Sequence, residues 1–216
     1  MGAEANRRNG TRRARSEDDR EARLQAILDA ALDVFSEKGY AATRLEDVAA
    51  RAGVAKGTIY LYVPSKQALF EALIRSAIAL PIEALEQRIA ALDVPAEMML
   101  RTLFAWMRRE VLGTRRKEIA RLVLSEAGRF PEIAEFYHRE VISRGLGILR
   151  RIAETAVARG EFHSDALARF PQLAIAPAVV AIIWGGLFER FEPLDVERLF
   201  EAHLELLMRA LKEDRS

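Results

Sequence analysis

Four residues of the types that bind nucleic acid lie close together in the first third of the chain. They are Lys56, Gly57, Thr58 and Tyr60, which supply a cation, a glycine and two hydroxyls. Cations and hydroxyls hydrogen-bond to phosphate oxygens and base edges, while a glycine lets the backbone approach closely. Gly53 precedes them and permits the left-handed conformation of a tight turn. Short helices joined by such a turn are typical of a helix-turn-helix, whose second helix lies in the DNA major groove, although an ordinary helical corner has the same spacing.

Amphipathic helices must position this segment. A helix over about residues 17–38 is predicted by a capping box that begins at Ser16 and by apolar residues at three- and four-residue spacing, and it ends at Gly39. A second capping box, Thr43 with Glu46, begins a helix of two turns. No sustained period-two alternation is present, so we predict an all-α fold of about nine or ten helices. The other helices are predicted over about residues 55–61, 65–80, 82–92, 96–112, 115–128, 132–158, 171–189 and 195–212.

The charge distribution divides the chain further. Residues 1–16 hold five arginines against one acid without apolar periodicity, and they predict a disordered basic arm that contacts DNA or an idle terminus. Residues 17–64 form the predicted helix-turn-helix domain, and residues 65–216 form a larger helical domain. The whole chain has 33 Lys and Arg against 32 Asp and Glu, so any attraction for an anionic partner is local.

Residues 26–73 resemble the DNA-binding domain of the TetR family of one-component transcriptional regulators. They read AILDAALDVFSEKGYAATRLEDVAARAGVAKGTIYLYVPSKQALFEAL. The resemblance implies a three-helix DNA-binding domain followed by a helical domain that dimerises and encloses a ligand pocket. It departs from the family at Ala55, where a capping Ser or Thr is frequent, and at Tyr62 and Val63, which replace a frequent His and Phe. Carried over residue by residue, it implies DNA contacts from Thr43, Arg44, Lys56, Gly57, Thr58, Tyr60, Tyr62 and Lys66.

Aromatic and methionine side chains in the larger domain indicate an apolar effector pocket. Ordinary core packing is the alternative for each of them. Arg121 is a candidate for orienting an anionic group of the effector. The predicted effector contacts are Leu103, Trp106, Met107, Arg121, Phe136 and Tyr137.

Residues 170–188 form a run of 19 without a charge, which is long enough to span a bilayer. Pro171, Pro177 and the high charge content of the chain favour a helix buried in protein instead. In the family this helix and the last one form a four-helix bundle across a two-fold axis, and small residues would allow close approach. The predicted dimer contacts are Ala174, Ala178, Ala181, Gly185, Leu204 and Leu207.

The sequence offers little for catalysis. It has no Cys, three His without metal-ligand spacing and no Gly-rich phosphate loop, so we predict no enzymatic activity, no metal and no cofactor. We predict a cytoplasmic homodimeric repressor that binds a palindromic operator in double-stranded DNA and is released by a small, largely apolar effector. The alternatives are a helical protein-interaction bundle and a membrane-associated helical protein without sequence-specific DNA binding.

Overall fold

The structure is a computed structural model that describes the backbone of residues 2–213 and the side chains of residues 17–213. All regular structure in the described backbone is helical, which confirms the predicted all-α fold. The chain divides into two compact units, Met1–Leu73 and Ile74–Ser216. The division falls later than the predicted boundary at residue 64, because most of the fourth helix belongs to the first unit.

Four helices build the first unit. They are α1 (Gly2–Ala42), α2 (Leu45–Arg51), α3 (Lys56–Ile59) and α4 (Lys66–Ile74). Its core contains an aromatic cluster in which Phe35 stacks on Tyr40 at 5.7 Å between centroids and meets Phe70 edge-on at 5.3 Å. Ile59 and Leu69 are fully buried beside it. The α3 and α4 segments are therefore anchored by side chains in the same core as α1.

The first helix begins earlier than the sequence predicts. Its backbone is helical from Gly2, where we expected a disordered arm up to Ser16. Arg and Ala make up half of residues 1–16, and both have high helix propensity, so the established helix can extend backwards by one hydrogen bond per residue. The side chains of residues 1–16 lie outside the described ones, and contact between this arm and DNA stays a prediction. The predicted stop at Gly39 is confirmed, because its φ of 75° breaks the helix there, and the last residues of the range, up to Ala42, follow this kink.

The start of α2 differs from the predicted capping box by one residue. Arg44 is the N-cap, and its backbone N–H donates to the Asp47 carboxylate at 3.3 Å. The Thr43 side chain is only 2% exposed, and its hydroxyl donates instead to the Gly39 carbonyl at 2.7 Å. The left-handed turn at Gly39 leaves this carbonyl outside the helical ladder, so it is available to a buried donor.

Eight α-helices and three π-helical turns build the described part of the second unit. The π-turns continue directly from α4, α6 and α8 respectively, so that long rods of helix cross the unit. The elements are π1 (Arg75–Ala79), α5 (Leu80–Ala90), α6 (Ala96–Trp106), π2 (Met107–Leu112), α7 (Arg116–Glu126), α8 (Pro131–Tyr137), π3 (His138–Ile142), α9 (Ser143–Ala158), α10 (Ala166–Arg169), α11 (Gln172–Leu187) and α12 (Val196–Lys212).

The predicted break at Pro81 is absent. Helix α4 passes through π1 into α5, and Pro81 lies in the first turn of α5. Proline lacks the N–H for a regular bond to the preceding turn, and the wider π-turn before it accommodates that loss. The short helix α10 was also not predicted, because four residues are too few for a periodic pattern.

We predict that Thr43→Val lowers the free energy of unfolding by about 1 kcal/mol, because it removes a buried hydrogen bond and leaves the Gly39 carbonyl unpaired. Thr43→Ser is the matched control, since it keeps the hydroxyl. Denaturant unfolding followed by circular dichroism measures both. Equal stability of Thr43→Val and wild type would show that the hydroxyl does not hold this turn.

Candidate nucleic-acid interface and effector cavity

The third helix presents one face to solvent because the other face is fixed in the core. Gly53 has φ of 67° and turns the chain after α2, and the Val54 N–H donates to the Ala49 carbonyl at 3.0 Å. Ile59 is fully buried, so the residues on the opposite side of α3 face outward. Lys56 and Gly57 are exposed there. The turn and the buried anchor thus create a small protruding surface.

Polar and aromatic groups gather on that surface. Tyr60 is 46% exposed and Thr58 is half-buried, while space for a Cβ atom is open at Gly57. The Lys56 ammonium pairs with the Glu46 carboxylate at 2.7 Å. A hydrogen bond from Lys56 lowers the pKa of Glu46, and the carboxylate raises the pKa of Lys56, so both are charged at neutral pH. The structure therefore brings together the predicted residues of α3 and adds an acidic neighbour.

Leu61 is the most exposed large apolar side chain described in this unit, and it was not among the predicted DNA contacts. It is 76% exposed and directly follows Tyr60. The buried pair Ile59 and Val63 brackets it, and this spacing could have shown that Leu61 points away from the core. Apolar side chains in such a position can contact the methyl group of thymine.

A groove on the same unit contains two further arginines that were not identified. It is lined by Asp19, Arg20, Ala22, Arg23 and Tyr62. The Arg20 guanidinium lies 5.9 Å from the centre of the Tyr62 ring. Their spacing on α1, one turn apart, could have pointed to a shared basic face. The groove places the phenol of Tyr62 beside two cations, which together suit a phosphate.

Two predicted DNA contacts also have structural roles within the unit. Thr43 is buried in the turn after α1, so its side chain is not available to DNA. The Lys66 ammonium donates to the carbonyls of Tyr40 and Ala41 at 2.7 and 2.9 Å and lies 4.7 Å from the Tyr40 ring. Cations near the end of a helix commonly satisfy its last carbonyls. The Ser65 cap is confirmed, since its hydroxyl accepts the Ala68 N–H at 3.1 Å.

An apolar cavity of about 140 Å³ lies inside the second unit. Four of the predicted effector contacts line it, namely Leu103, Trp106, Met107 and Tyr137. None of its described lining residues carries a charge. Burial raises the pKa of Tyr137 to about 12. The lining is thus aliphatic and aromatic, and Trp106 and Tyr137 are its described residues with a side-chain N–H or O–H group.

The other two predicted effector contacts lie elsewhere. Phe136 is buried between the guanidinium groups of Arg75 and Arg139, each about 5 Å from its ring centre, so it is occupied by cation–π contacts. Arg121 donates through Nε to the Ile182 carbonyl at 3.1 Å and covers Gly185. It therefore cannot orient an anion in the cavity while it holds this position.

All three π-turns contribute walls to the cavity. Ile78 comes from π1, Val111 from π2 and Val141 from π3. The hydrogen bonds of a π-turn span one residue more than those of an α-helix, and π-turns often occur at functional positions. The cavity is therefore bounded by the least regular helical backbone of the unit.

A second, larger cleft between α5, α6 and α9 has a different character. Its volume is about 340 Å³, and charged side chains stand at its rim. These pair among themselves, as Arg151 does with Glu86 and Arg159 with Asp93 at 2.9 Å. Glu161 also accepts the Ala96 N–H at the start of α6. The rim charges are thus committed to structural contacts.

The faces of α11 differ from the predicted assignment. Ala174, Ala181 and Leu204 are buried within the protomer, and Ala178 lines the cavity, because the small residues pack against their own unit. Gly185 lies against the guanidinium of Arg121 from the same chain. The exposed face of α11 carries apolar side chains at helical spacing, and we call it the outer face: Leu173, Ala176, Val180, Ile183 and Leu187.

Helix α12 continues the outer face. The His203 ring contacts the Leu173 carbonyl through Nε2 at 2.8 Å, which joins the two helices at this edge. Leu206 follows one turn later and is largely exposed, while Leu207 is half-buried. Two adjacent helices therefore share one apolar surface.

A helix-turn-helix unit followed by a helical unit with an internal apolar cavity defines a class of DNA-binding, ligand-responsive regulators. The sequence matches the family model described as "Bacterial regulatory proteins, tetR family" over residues 27–73. It matches the model described as "Tetracyclin repressor-like, C-terminal domain" over residues 97–207. The chain belongs to the TetR family of DNA-binding transcriptional regulators.

Several relatives share one or both units. The transcriptional regulator RutR of Escherichia coli is 43% identical over 74 residues, and the match spans 33% of this chain and 35% of RutR, about a third of either protein. The transcriptional repressor KstR of Rhodococcus jostii is 27% identical over 191 residues, or 86% of this chain and 82% of KstR. The structure of FadR from Bacillus subtilis with stearoyl-CoA has a TM-score of 0.69 and 25% identity, and it covers 87% of this chain and 98% of FadR.

The uncharged run does not produce a membrane helix. Helix α11 has 16 residues and contains Pro177. Among residues 2–213 no helix combines the length and the apolar character needed to cross a bilayer.

We predict that Gly185→Ala destabilises the protein by about 1 kcal/mol, although alanine is the better helix former. A Cβ atom there would lie 2.7 Å from Nη2 of Arg121, so the guanidinium must shift, and we expect this shift to break its bond from Nε to the Ile182 carbonyl. Gly147→Ala in α9 is the matched control, because no atom lies within 4 Å of its new Cβ, and it should stabilise.

Thermal unfolding measures both variants. In an Arg121→Met background, Gly185→Ala should become neutral or stabilising. A loss of stability that persists there would show that Arg121 is not the cause.

Proposed function

We propose that this TetR family regulator is a repressor that binds a palindromic operator as a homodimer and leaves it when a small, largely apolar effector enters the cavity. The exposed face of α3 is the single observation that carries the DNA-binding part. It presents Lys56, Gly57 and Tyr60 beyond a glycine turn, while Ile59 fixes the opposite side. Because operator DNA lies in the cytoplasm, we propose that the protein acts there.

Base edges and phosphates are contacted by different residues in this proposal. Tyr60 and Leu61, exposed at the end of α3, meet base edges in the major groove. Arg20, Arg23 and Tyr62 bind a backbone phosphate in their groove on α1. Arg44, exposed at the start of α2, contacts the backbone on the other side.

The homodimer is proposed to form through the outer face. Apolar side chains along α11 are exposed in a stripe that repeats every three or four residues, as Val180, Ile183 and Leu187 illustrate. A continuous apolar patch of this kind on a protein usually marks an association surface. A two-fold axis also suits a palindromic operator, whose half-sites lie about 34 Å apart.

Effector release is supported by the cavity and by its connection to α4. Ile78 of π1 lines the cavity, and π1 continues α4 without a break. Arg75 of the same turn packs on Phe136, whose neighbour Tyr137 is a cavity residue. A coupling of about 1 to 3 kcal/mol between effector and operator is typical of such switches. KstR is named a repressor and FadR binds stearoyl-CoA, which supports the same scheme here.

We expect Tyr60→Ala to weaken operator binding by about 1 to 3 kcal/mol, because one base or phosphate contact per subunit is lost. Met98→Ala is the control, since it truncates an exposed apolar side chain of the second unit. Fluorescence anisotropy on duplexes from upstream of the chain's own gene measures both. Wild-type affinity of a folded Tyr60→Ala protein would remove Tyr60 from the interface.

We expect Ile183→Asp to raise the dimer dissociation constant by more than about a hundredfold, because a carboxylate in an apolar interface costs several kcal/mol. Leu124→Asp on α7 is the control, since Leu124 lies outside the outer face and is at least as exposed as Ile183, at 56% against 42%. Sedimentation velocity reports the oligomeric state. A dimer that survives Ile183→Asp would place the interface elsewhere.

A further inference from the structure

Resting on the proposed effector site, we propose that the cavity of the second unit takes one uncharged molecule with a single ring and one hydrogen-bonding substituent, held by Tyr137. Phenols with small alkyl groups are the simplest members of this chemical class. The proposed ligand thereby has a stated size and charge state, and Tyr137 is the residue that determines specificity.

The volume of the cavity limits the size of the ligand. At about 140 Å³ it nearly equals the roughly 150 Å³ of an engineered apolar protein cavity that stays dry and binds benzene. One ring fills such a space, while two fused rings or a long acyl chain exceed it. The walls include aliphatic side chains from α5, α9 and α11, represented by Leu85, Leu149 and Ile182, and a larger ligand would extend beyond them.

The charge state comes from the lining. The described cavity walls are Ile, Leu, Val, Ala, Met, Gly, Trp and Tyr, without an ionisable group that is charged at neutral pH. An anion or cation would lose its hydration without gaining a partner, which costs far more than a hydrogen bond returns. The nearest predicted anion partner, Arg121, is engaged with the Ile182 carbonyl. The site therefore rejects carboxylates and ammonium groups of the same ring size.

The substituent comes from Tyr137. Its phenol is the only hydroxyl among the described lining residues. A ligand that accepts from this hydroxyl or donates to it gains a hydrogen bond that a plain hydrocarbon does not, and therefore gains affinity. The hydroxyl is protonated throughout the neutral range, because burial raises its pKa to about 12.

Gly145 provides a way to close the cavity without disturbing the fold. It lines the cavity from α9, and no atom lies within 4 Å of the Cβ that a substitution would add. Gly145→Leu would place its side chain in the ligand space. Gly147→Leu, two residues along the same helix and outside the lining, is the matched control with an equally open Cβ position.

The experiment titrates phenol, toluene and benzoate into the full chain carrying Trp184→Phe, so that Trp106 in the cavity wall is the remaining tryptophan. Trp106 fluorescence should saturate with phenol and toluene and stay unchanged with benzoate. Gly145→Leu should abolish both responses, and Gly147→Leu should keep them. Tyr137→Phe should weaken phenol roughly two- to tenfold and leave toluene unchanged, because only the hydrogen bond is removed.

A nitrophenol adds a test of charge. It should bind in its neutral form only, so its affinity falls as the pH rises through its own pKa, while the affinity for toluene stays constant. Since Tyr137 does not titrate in this range, the pH dependence belongs to the ligand.

Three results would overturn the proposal. They are benzoate binding as tight as phenol, no saturable response to any of the three rings, and ring binding that survives Gly145→Leu. None of these involves DNA, so the outcome is independent of the operator test with Tyr60→Ala. Intact operator binding with no ring binding would reject the ligand class alone, while ring binding without operator binding would reject the regulator.

Discussion

The end of the first helix is the constraint on which the DNA-binding unit depends. Its last carbonyls, at Gly39, Tyr40 and Ala41, leave the helical ladder where the chain turns at Gly39. Thr43, just before α2, satisfies one of them, and Lys66, in the first turn of α4, satisfies the other two. These contacts tie the starts of two helices to the end of a third. The protruding face of α3 lies between them in sequence, so polar groups outside α3 fix the segments on either side of it.

In the second unit, α11 serves two surfaces at once. Ile175 and Ile182 line the cavity, while Val180 and Ile183 lie on the outer face. A helix that is apolar on all sides is expected to be covered on all sides, and within one protomer only the inner side is covered. The same helix therefore forms the wall of the proposed effector site and the proposed subunit contact. Under the proposed function, a ligand on the inner side of α11 would act on the subunit contact through this one helix.

The sequence predicted the helices and the turn at Gly53 because capping residues and periodicity are local signals. It could not assign the faces of α11, since an uncharged run has no amphipathic asymmetry to show which side is buried. The contact of Arg121 could not be predicted from the sequence either, because the glycine pair that receives its guanidinium lies about 60 residues away in the chain.

The site residues divide in the same way. The exposure of Lys56, Gly57 and Tyr60 was predictable because a short helix after a glycine turn exposes them. The contacts of Thr43 and Lys66 with helix carbonyls were not, since a hydroxyl or a cation beside a helix end can satisfy carbonyls as well as phosphates, and only the tertiary structure shows these contacts.

The chain as a whole is nearly neutral, and the cations around α3 are likewise paired with carboxylates. Lys56 pairs with Glu46, Lys38 with Asp47, and Arg51 with acids of α1. A phosphate must compete with these carboxylates, so random DNA gains little from them, because non-specific binding is almost entirely electrostatic. The proposed base contacts of Tyr60 and Leu61 do not face this competition. The ion pairs therefore lower affinity for all DNA while leaving the sequence-dependent part intact, which raises the ratio of specific to non-specific binding.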